Sequence, residues 1–274
     1  MKRREFLKTS LAASTLAGLG TATLAAEADP ASNPNREYYE LRIYRLAKGA
    51  NRAALTDYLE KAAVPAWNRL GIQPVGVFEQ SERTEPPAKT EVRDASAVVV
   101  VIPYPSLQAF AAAAQSMADP AFQASAGDYW QRTKDNPVFE RIDSWLMLAF
   151  AGMPRLELPA YSRDKKPRMF ELRTYESYSE AKALKKVQMF NSGEIDVMRE
   201  VGLAPVFYGQ ALIGPNLPHL TYMLSAEDDA AHKKHWGAFG KHPVWNKLQH
   251  EPQYDETVSK ITNRYLVPLP CSQI

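Results

Sequence analysis

Glu40-Leu41-Arg42-Ile43-Tyr44 returns 131 residues later as Glu171-Leu172-Arg173-Thr174-Tyr175. The same offset, without a gap, aligns Gly71 with Gly202, Pro74 with Pro205 and Val75 with Val206. Identity is otherwise low, so the weight lies in separated landmarks that share one register, the mark of an internal repeat. Within the first quintet Tyr39, Leu41 and Ile43 alternate with Glu40, Arg42 and Tyr44. That is the period of a half-buried strand.

Outward from this strand, Leu55, Tyr58, Leu59, Ala62, Ala66, Trp67 and Leu70 follow helical spacing, with Asn51 as N-cap and Gly71 as stop. The second copy repeats this through Val187, Phe190, Met198 and Val201 to Gly202. Second strands are expected at 73–78 and 204–208, third strands at 97–103 and 220–224, and final strands at 142–150 and 261–267. A helix starting at Ser106 follows the first copy's third strand. In the second copy Ser225, Glu227 and Asp228 form a capping-box-like start to the helix carrying His232, His235, Trp236 and Phe239. Asp119-Pro120-Ala121-Phe122 then matches His242-Pro243-Val244-Trp245, with Asp119 and His242 as caps and proline at the first helical position. Each copy therefore reads strand, helix, strand, strand, helix, strand: the ferredoxin-like plan, in an α+β chain. Two such units, 37–151 and 168–268, joined by a linker at 152–167, can cover each other's open sheet faces as an intrachain dimeric α+β barrel.

The 274 residues are 45% hydrophobic and 23% charged, which excludes a disordered chain and suffices for one large or two small cores. Lys+Arg number 33 against 31 Asp+Glu, and no basic stripe of the kind nucleic acid requires is present. The single cysteine, Cys271, excludes an internal disulfide and a multi-thiolate zinc site. Lys2-Arg3-Arg4-Glu5-Phe6-Leu7-Lys8 precedes a short, weakly apolar run ending at Ala26-Glu27-Ala28, which fits the A-x-A cleavage rule. This resembles a twin-arginine export signal over residues 1–28. The expectation is an exported, periplasmic or extracytoplasmic mature chain from Asp29, nearly neutral and without a stable membrane span.

The paired E-L-R-x-Y strands, the glycine after each first helix, and Trp236, Phe239, His242, Pro243 and Trp245 resemble the NIPSNAP family over residues 38–268. The first unit keeps Asp119, Pro120 and Phe122 but has Ala113 near the Trp236 position. The resemblance implies the dimeric α+β barrel group, which includes cofactor-independent monooxygenases, haem proteins and small isomerases. It implies a fold more firmly than an activity.

Alternation places Glu40, Arg42 and Tyr44 on one strand face, and Glu171, Arg173 and Tyr175 on another. Gathered near a pseudo-twofold axis these groups would bind a polar ligand, with arginine gripping a carboxylate and glutamate as base. The alternative is a set of crossed Glu–Arg pairs locking the two sheets in register. Glu171 or His235 is the candidate catalytic base and Arg173 the anion holder. Tyr208, Tyr222, Trp236 and Trp245 are candidate ligand-binding residues in a pocket of the second unit, beside Glu40, Arg42, Tyr44 and Tyr175. Pro65 in the first helix and Asn191-Ser192-Gly193 in its counterpart are expected to kink both helices and open space beneath them. No metal and no cofactor is expected: GxGxxG, Walker A, GxSxG and HExxH motifs are absent. Three readings stand: a small-molecule binder, a cofactor-independent monooxygenase or isomerase, and a structural or interaction module. A homo-oligomer stays open.

Overall fold

The computed structural model describes residues 35–83 and 87–274. The signal-like residues 1–28 lie outside them. Among the described residues are eight strands: β1 (Tyr38–Leu46), β2 (Gly76–Gln80), β3 (Ala97–Tyr104), β4 (Phe139–Ala149), β5 (Met169–Glu176), β6 (Ala204–Ile213), β7 (His219–Ala226) and β8 (Lys260–Pro268). They form one closed antiparallel barrel in the order β1-β3-β2-β8-β5-β7-β6-β4. Read from each end, the halves have the same order, β4-β1-β3-β2 and β8-β5-β7-β6. Two seams join them: β2 pairs β8 from Phe78 opposite Pro268, and β4 pairs β6 from Met147 opposite Ala211. Closure leaves no sheet edge unpaired.

The central strand β3 of one half and β7 of the other bury both faces. Leu41, Ile43, Phe78, Val99, Val101, Met147, Phe170, Leu172, Phe207, Met223 and Leu266 fill the lumen. The opposite faces of β1 and β5 carry the Glu/Arg/Tyr sets beneath helices. Hence β3 and β7 are buried at every position, which explains why Val98–Ile102 is an unbroken apolar run rather than an alternating one.

The outer helices of the first half are α1 (Arg52–Tyr58), α2 (Val64–Arg69), α3 (Leu107–Ser116) and α4 (Pro120–Trp130); α5 (Ala160–Arg163) lies in the linker. Those of the second half are α6 (Glu180–Met189), α7 (Ile195–Glu200), α8 (Asp229–Phe239) and α9 (Pro243–Leu248). The expected caps form at Asn51, Ser106, Asp119 and His242, each accepting a backbone N–H with its side chain. At α8 the cap is Asp228 alone, because β7 runs on through Ala226 and holds Ser225 in the sheet. β6 extends to Ile213, five residues past expectation, along the seam with β4. Both anticipated helix interruptions are π-helical segments in the same register, Leu59–Ala63 joining α1 to α2 and Phe190–Glu194 joining α6 to α7. Pro65, which has no N–H to donate, follows the first; Gly193 at φ 137° lies within the second. No helix among the described residues is long and apolar enough to cross a membrane.

The lumen tolerates no added volume at Gly76, where a Cβ would lie 2.4 Å from Phe78 Cε2 and 2.9 Å from Ile274 Cδ1. Gly76→Ala is expected to lower stability by about 1–3 kcal/mol in thermal or urea unfolding. Gly237→Ala, in α8 with nothing within 4 Å of the new methyl, should instead be neutral or raise stability by up to about 1 kcal/mol.

Candidate functional site

Each half is organised around a buried carboxylate on its first strand. In β5, Glu171 accepts hydrogen bonds from Arg173 Nη1 at 2.7 Å, Trp236 Nε1 at 2.9 Å and Asn263 Nδ2 at 3.3 Å, and its Oε2 lies 2.8 Å from His232 Nε2. In β1, Glu40 is gripped by Arg42 through Nε at 2.5 Å and Nη2 at 2.9 Å, and accepts from Tyr104 Oη and Ser144 Oγ, both at 2.8 Å. The frames correspond strand for strand: Ser144 stands opposite Arg42 in β4 as Asn263 stands opposite Arg173 in β8. The third partner differs. A tyrosine of β3 serves Glu40, whereas a histidine and a tryptophan of α8 serve Glu171.

Both glutamates pair within their own strand, and β1 and β5 lie on opposite sides of the barrel with their charged faces turned away from the lumen. The two sets therefore neither meet on a twofold axis nor cross to lock one sheet to the other. Tyrosine placement also differs between the halves. Tyr175 accepts from Arg173 at 3.1 Å and shares a 2.8 Å hydrogen bond with Tyr222, whose ring stacks on Tyr208 at 5.3 Å. Tyr208 donates to Met198 Sδ at 3.0 Å.

This second-half cluster is closed. Lys186 and Glu194, 2.9 Å apart and buried, occupy the repeat positions of Leu55 and Ala63, and the ammonium lies 4.7 Å above the Phe190 ring. Trp236 covers Arg173 at 4.8 Å, and Trp245 packs on Phe239 at 4.6 Å. The expected pocket residues Tyr208, Tyr222, Trp236 and Trp245 thus pack on protein partners. Burial pushes the Glu171 carboxyl up, but the hydrogen bond to His232 and the charge of Arg173 win and hold it at about 2. With its oxygens engaged, Glu171 is an anchor for Arg173 and a poor proton acceptor. His235 is not brought to it: its ring packs 3.1 Å from the position a Cβ would take on Gly202, while the residues reaching Glu171 from the same helix are His232 and Trp236.

Outside the barrel wall, an open cleft lies in the first half. A solvent-accessible cleft of about 570 Å³ is lined by Arg42, Tyr44, Tyr58, Tyr129, Trp130, Phe139 and Ile142. Tyr58 and Tyr129 stack at 3.8 Å with ring planes 8° apart. Tyr129 and Trp130 reach the cleft because α4 bends at Gly127 (φ 53°). Here Leu55 and Ala63 leave no charged pair under the helix, and Ala109 and Ala113 stand where α8 presents His232 and Trp236. The sequence reading named Arg42 and Tyr44 but missed Tyr58, Tyr129 and Trp130. The repeat register did hold a signal, since charged Lys186 and Glu194 align with small or apolar residues. Arg42 remains fully charged: burial opposes its charge, and Tyr44 and Glu40 more than offset this. Burial pushes the Tyr58 and Tyr129 phenols well above their ordinary value, so both are protonated donors at neutral pH. Neither these two phenols nor Tyr44 hydrogen-bonds to a described residue.

His242 serves α9 as its cap and lies 3.1 Å from Glu200. Among the described residues no group of three or more His, Cys, Asp or Glu side chains is placed to hold a metal.

Removing one partner of the Glu171–Arg173 pair strands a buried charge, so Glu171→Ala is expected to cost about 3–5 kcal/mol in urea unfolding, whereas replacing both with Leu and Met costs far less. The depressed Glu171 pKa gives stability that is complete above the ordinary carboxylate range and lost as pH falls through it toward 2. Wild type should therefore lose more stability than Glu171→Gln between neutral pH and pH 3, measured by thermal unfolding.

The fold is similar to that of several solved structures. A monooxygenase-like protein from Lactobacillus acidophilus superposes with a TM-score of 0.53 at 11% identity, covering 85% of this chain and 94% of that one. One from Fusobacterium nucleatum gives 0.51 at 12% identity, covering 85% and 93%. A NIPSNAP-like domain protein from Burkholderia xenovorans is similar at 20% identity, covers 38% of this chain and 86% of that one, and has a TM-score of 0.34. No curated protein sequence matches the chain. Residues 170–273, from β5 onward, match the NIPSNAP family model, so the half that carries the closed Glu171 cluster is the half with the family signature.

Proposed function

We propose that the chain binds a planar, partly apolar small molecule bearing an anionic group in the cleft of its first half. The observation that carries this reading is the conjunction at one place of a 570 Å³ cleft, the Arg42 guanidinium and three phenols without protein hydrogen-bond partners. Clefts of this size accept drug-sized ligands. Arg42 is fixed by Glu40 through Nε and Nη2, which leaves Nη1 for a ligand oxygen. The aromatic walls take a flat ring, and Tyr58 and Tyr129 donate to its polar substituents.

In this proposal the two halves are tandem ferredoxin-like units, 37–151 and 168–268, that have divided their tasks. The second keeps the family signature and a filled core; the first lost the α8-type aromatic cover and gained a cleft. A second reading, cofactor-independent oxygenation of the bound molecule, draws on the monooxygenase-like proteins that share the barrel. For it the cleft offers Arg42 to hold a phenolate or enolate, with the tyrosines as hydrogen-bond donors. We further propose that residues 1–28 direct export, on the strength of Arg3-Arg4-Glu5-Phe6-Leu7-Lys8 and Ala26-Glu27-Ala28. Protein recovered from the cell envelope should begin at Asp29 on N-terminal sequencing.

Binding is tested with 1-hydroxy-2-naphthoate, a planar fluorescent anion, against neutral 2-naphthol. The anion should saturate the protein with a dissociation constant in roughly the micromolar range and bind about tenfold or more tightly than the neutral ring. Ile142→Arg, at a partly exposed position of the cleft wall, should abolish binding, whereas Leu184→Arg, on the exposed face of α6, should leave it unchanged. Equal binding by both variants would remove the cleft as the site. Oxygen consumption with the bound anion separates the second reading from simple binding.

A further inference from the structure

The barrel lumen is divided. One end is packed with Tyr39, Phe78, Phe170, Phe207, Leu266 and the buried Ile274. Toward the other end the inward-facing positions turn polar, and a partly enclosed chamber of about 170 Å³ opens among Leu41, Ile43, Arg45, Trp145, Leu172, Thr174, His219, Thr262 and Arg264. This chamber is separated from the first-half cleft by the sheet itself, since Arg42 and Tyr44 face outward from β1 while Leu41, Ile43 and Arg45 face inward.

The polar groups of the chamber are unequally satisfied. Arg45 holds Asp94 at 2.9 Å and Asp143 at 2.8 Å, and Lys260 holds Glu176 at 3.1 Å across the rim. Arg264, next to them on β8 and opposite Leu172 of β5, makes no hydrogen bond or ion pair with a described residue. Burial lowers its pKa, the charge of Asp94 and, less, of Asp143 raises it, and the like charge of Arg45 adds to the lowering. His219 is 2% exposed; its Nδ1 lies 3.5 Å from Thr221 Oγ1 and the Leu220 and Pro215 backbone lies close to the ring, while its buried Nε2 makes no hydrogen bond of good geometry. A buried polar atom without a partner is costly, and the His219 Nε2 facing the same chamber as the half-buried Arg264 guanidinium points to a missing occupant.

We infer that this chamber is a second ligand site that takes a short-chain carboxylate. The carboxylate engages the Arg264 fork, which is shaped for two parallel N–H···O bonds, and a ligand oxygen reaches His219 Nε2. The short acyl chain lies against Leu41, Ile43 and Leu172. The two aspartates do not take the ligand's place, because Arg45 already binds both. The volume limits the occupant to a few heavy atoms, far smaller than what the outer cleft accepts, and its selectivity comes from charge rather than from aromatic stacking.

The probe is butyrate, with butyramide as its uncharged isostere, titrated into the full chain and followed by backbone amide NMR. Butyrate should shift Thr174, His219, Thr262 and Arg264 in one saturable process, with butyramide binding about tenfold or more weakly. Arg264→Gln should abolish the butyrate shifts, and Ile142→Arg, in the outer cleft, should preserve them. Equal affinity for the two probes, shifts confined to the outer cleft, or no saturable shift at these residues would overturn the inference. Wild type alone decides it, so a loss of stability in Arg264→Gln leaves the outcome readable.

Discussion

A carboxylate buried on the first strand of each half, and held by the arginine two residues further along, is the constraint around which the structure is arranged. A glutamate at 1% exposure survives only with its oxygens fully engaged, and Glu171 meets that demand with groups from β5, α8 and β8. Such a residue dictates which way its strand faces, where the helix above it sits and which neighbour lies beside it. A one-residue slip would bury Leu172 under the helix and turn two charges into an apolar lumen. The contribution is to specificity of register more than to net stability, as buried ion pairs generally cost in desolvation about what their attraction returns.

The same frame supports two different exteriors. In the second half Lys186, Glu194, His232 and Trp236 fill the space between helix and sheet, leaving a dense polar-aromatic cluster. In the first half the corresponding side chains are Leu55, Ala63, Ala109 and Ala113, and the volume released is bounded by Tyr58, Tyr129 and Trp130. Both halves keep a π-helical turn at the same place in the helix that covers the pair. The two halves thus share the carboxylate and its arginine and differ in the residues that cover them.

The lumen adds a third environment. Closing two four-stranded sheets into a barrel gives their inner faces a common core, but the core is apolar over only part of its length. Arg45, Asp94 and Asp143 are ion-paired at the polar end, Arg264 feels their charges without a hydrogen bond to them, and His219 Nε2 is buried without a partner. The barrel wall keeps this chamber and the outer cleft chemically independent.

The sequence by itself determined the repeat, the alternation in β1 and β5, the caps at Asn51, Ser106, Asp119 and His242, and the position of both helix interruptions. All of these are local: they depend on period, spacing and residues a few positions apart. Period two also fixed that Glu40, Arg42 and Tyr44 share a face. It left open which face is the lumen, and so whether the two charged sets meet or lie back to back; only the strand order of the closed barrel decided that. Tyr129 and Trp130 join Arg42 through a bend at Gly127 and the packing of α4 on α1, and His219 and Arg264 line one chamber from strands on either side of β5. Contacts between residues so distant in the chain follow from closure of the sheet and leave no periodic trace in the sequence. The cleft and the chamber, being spaces rather than residues, were therefore visible only in the tertiary structure.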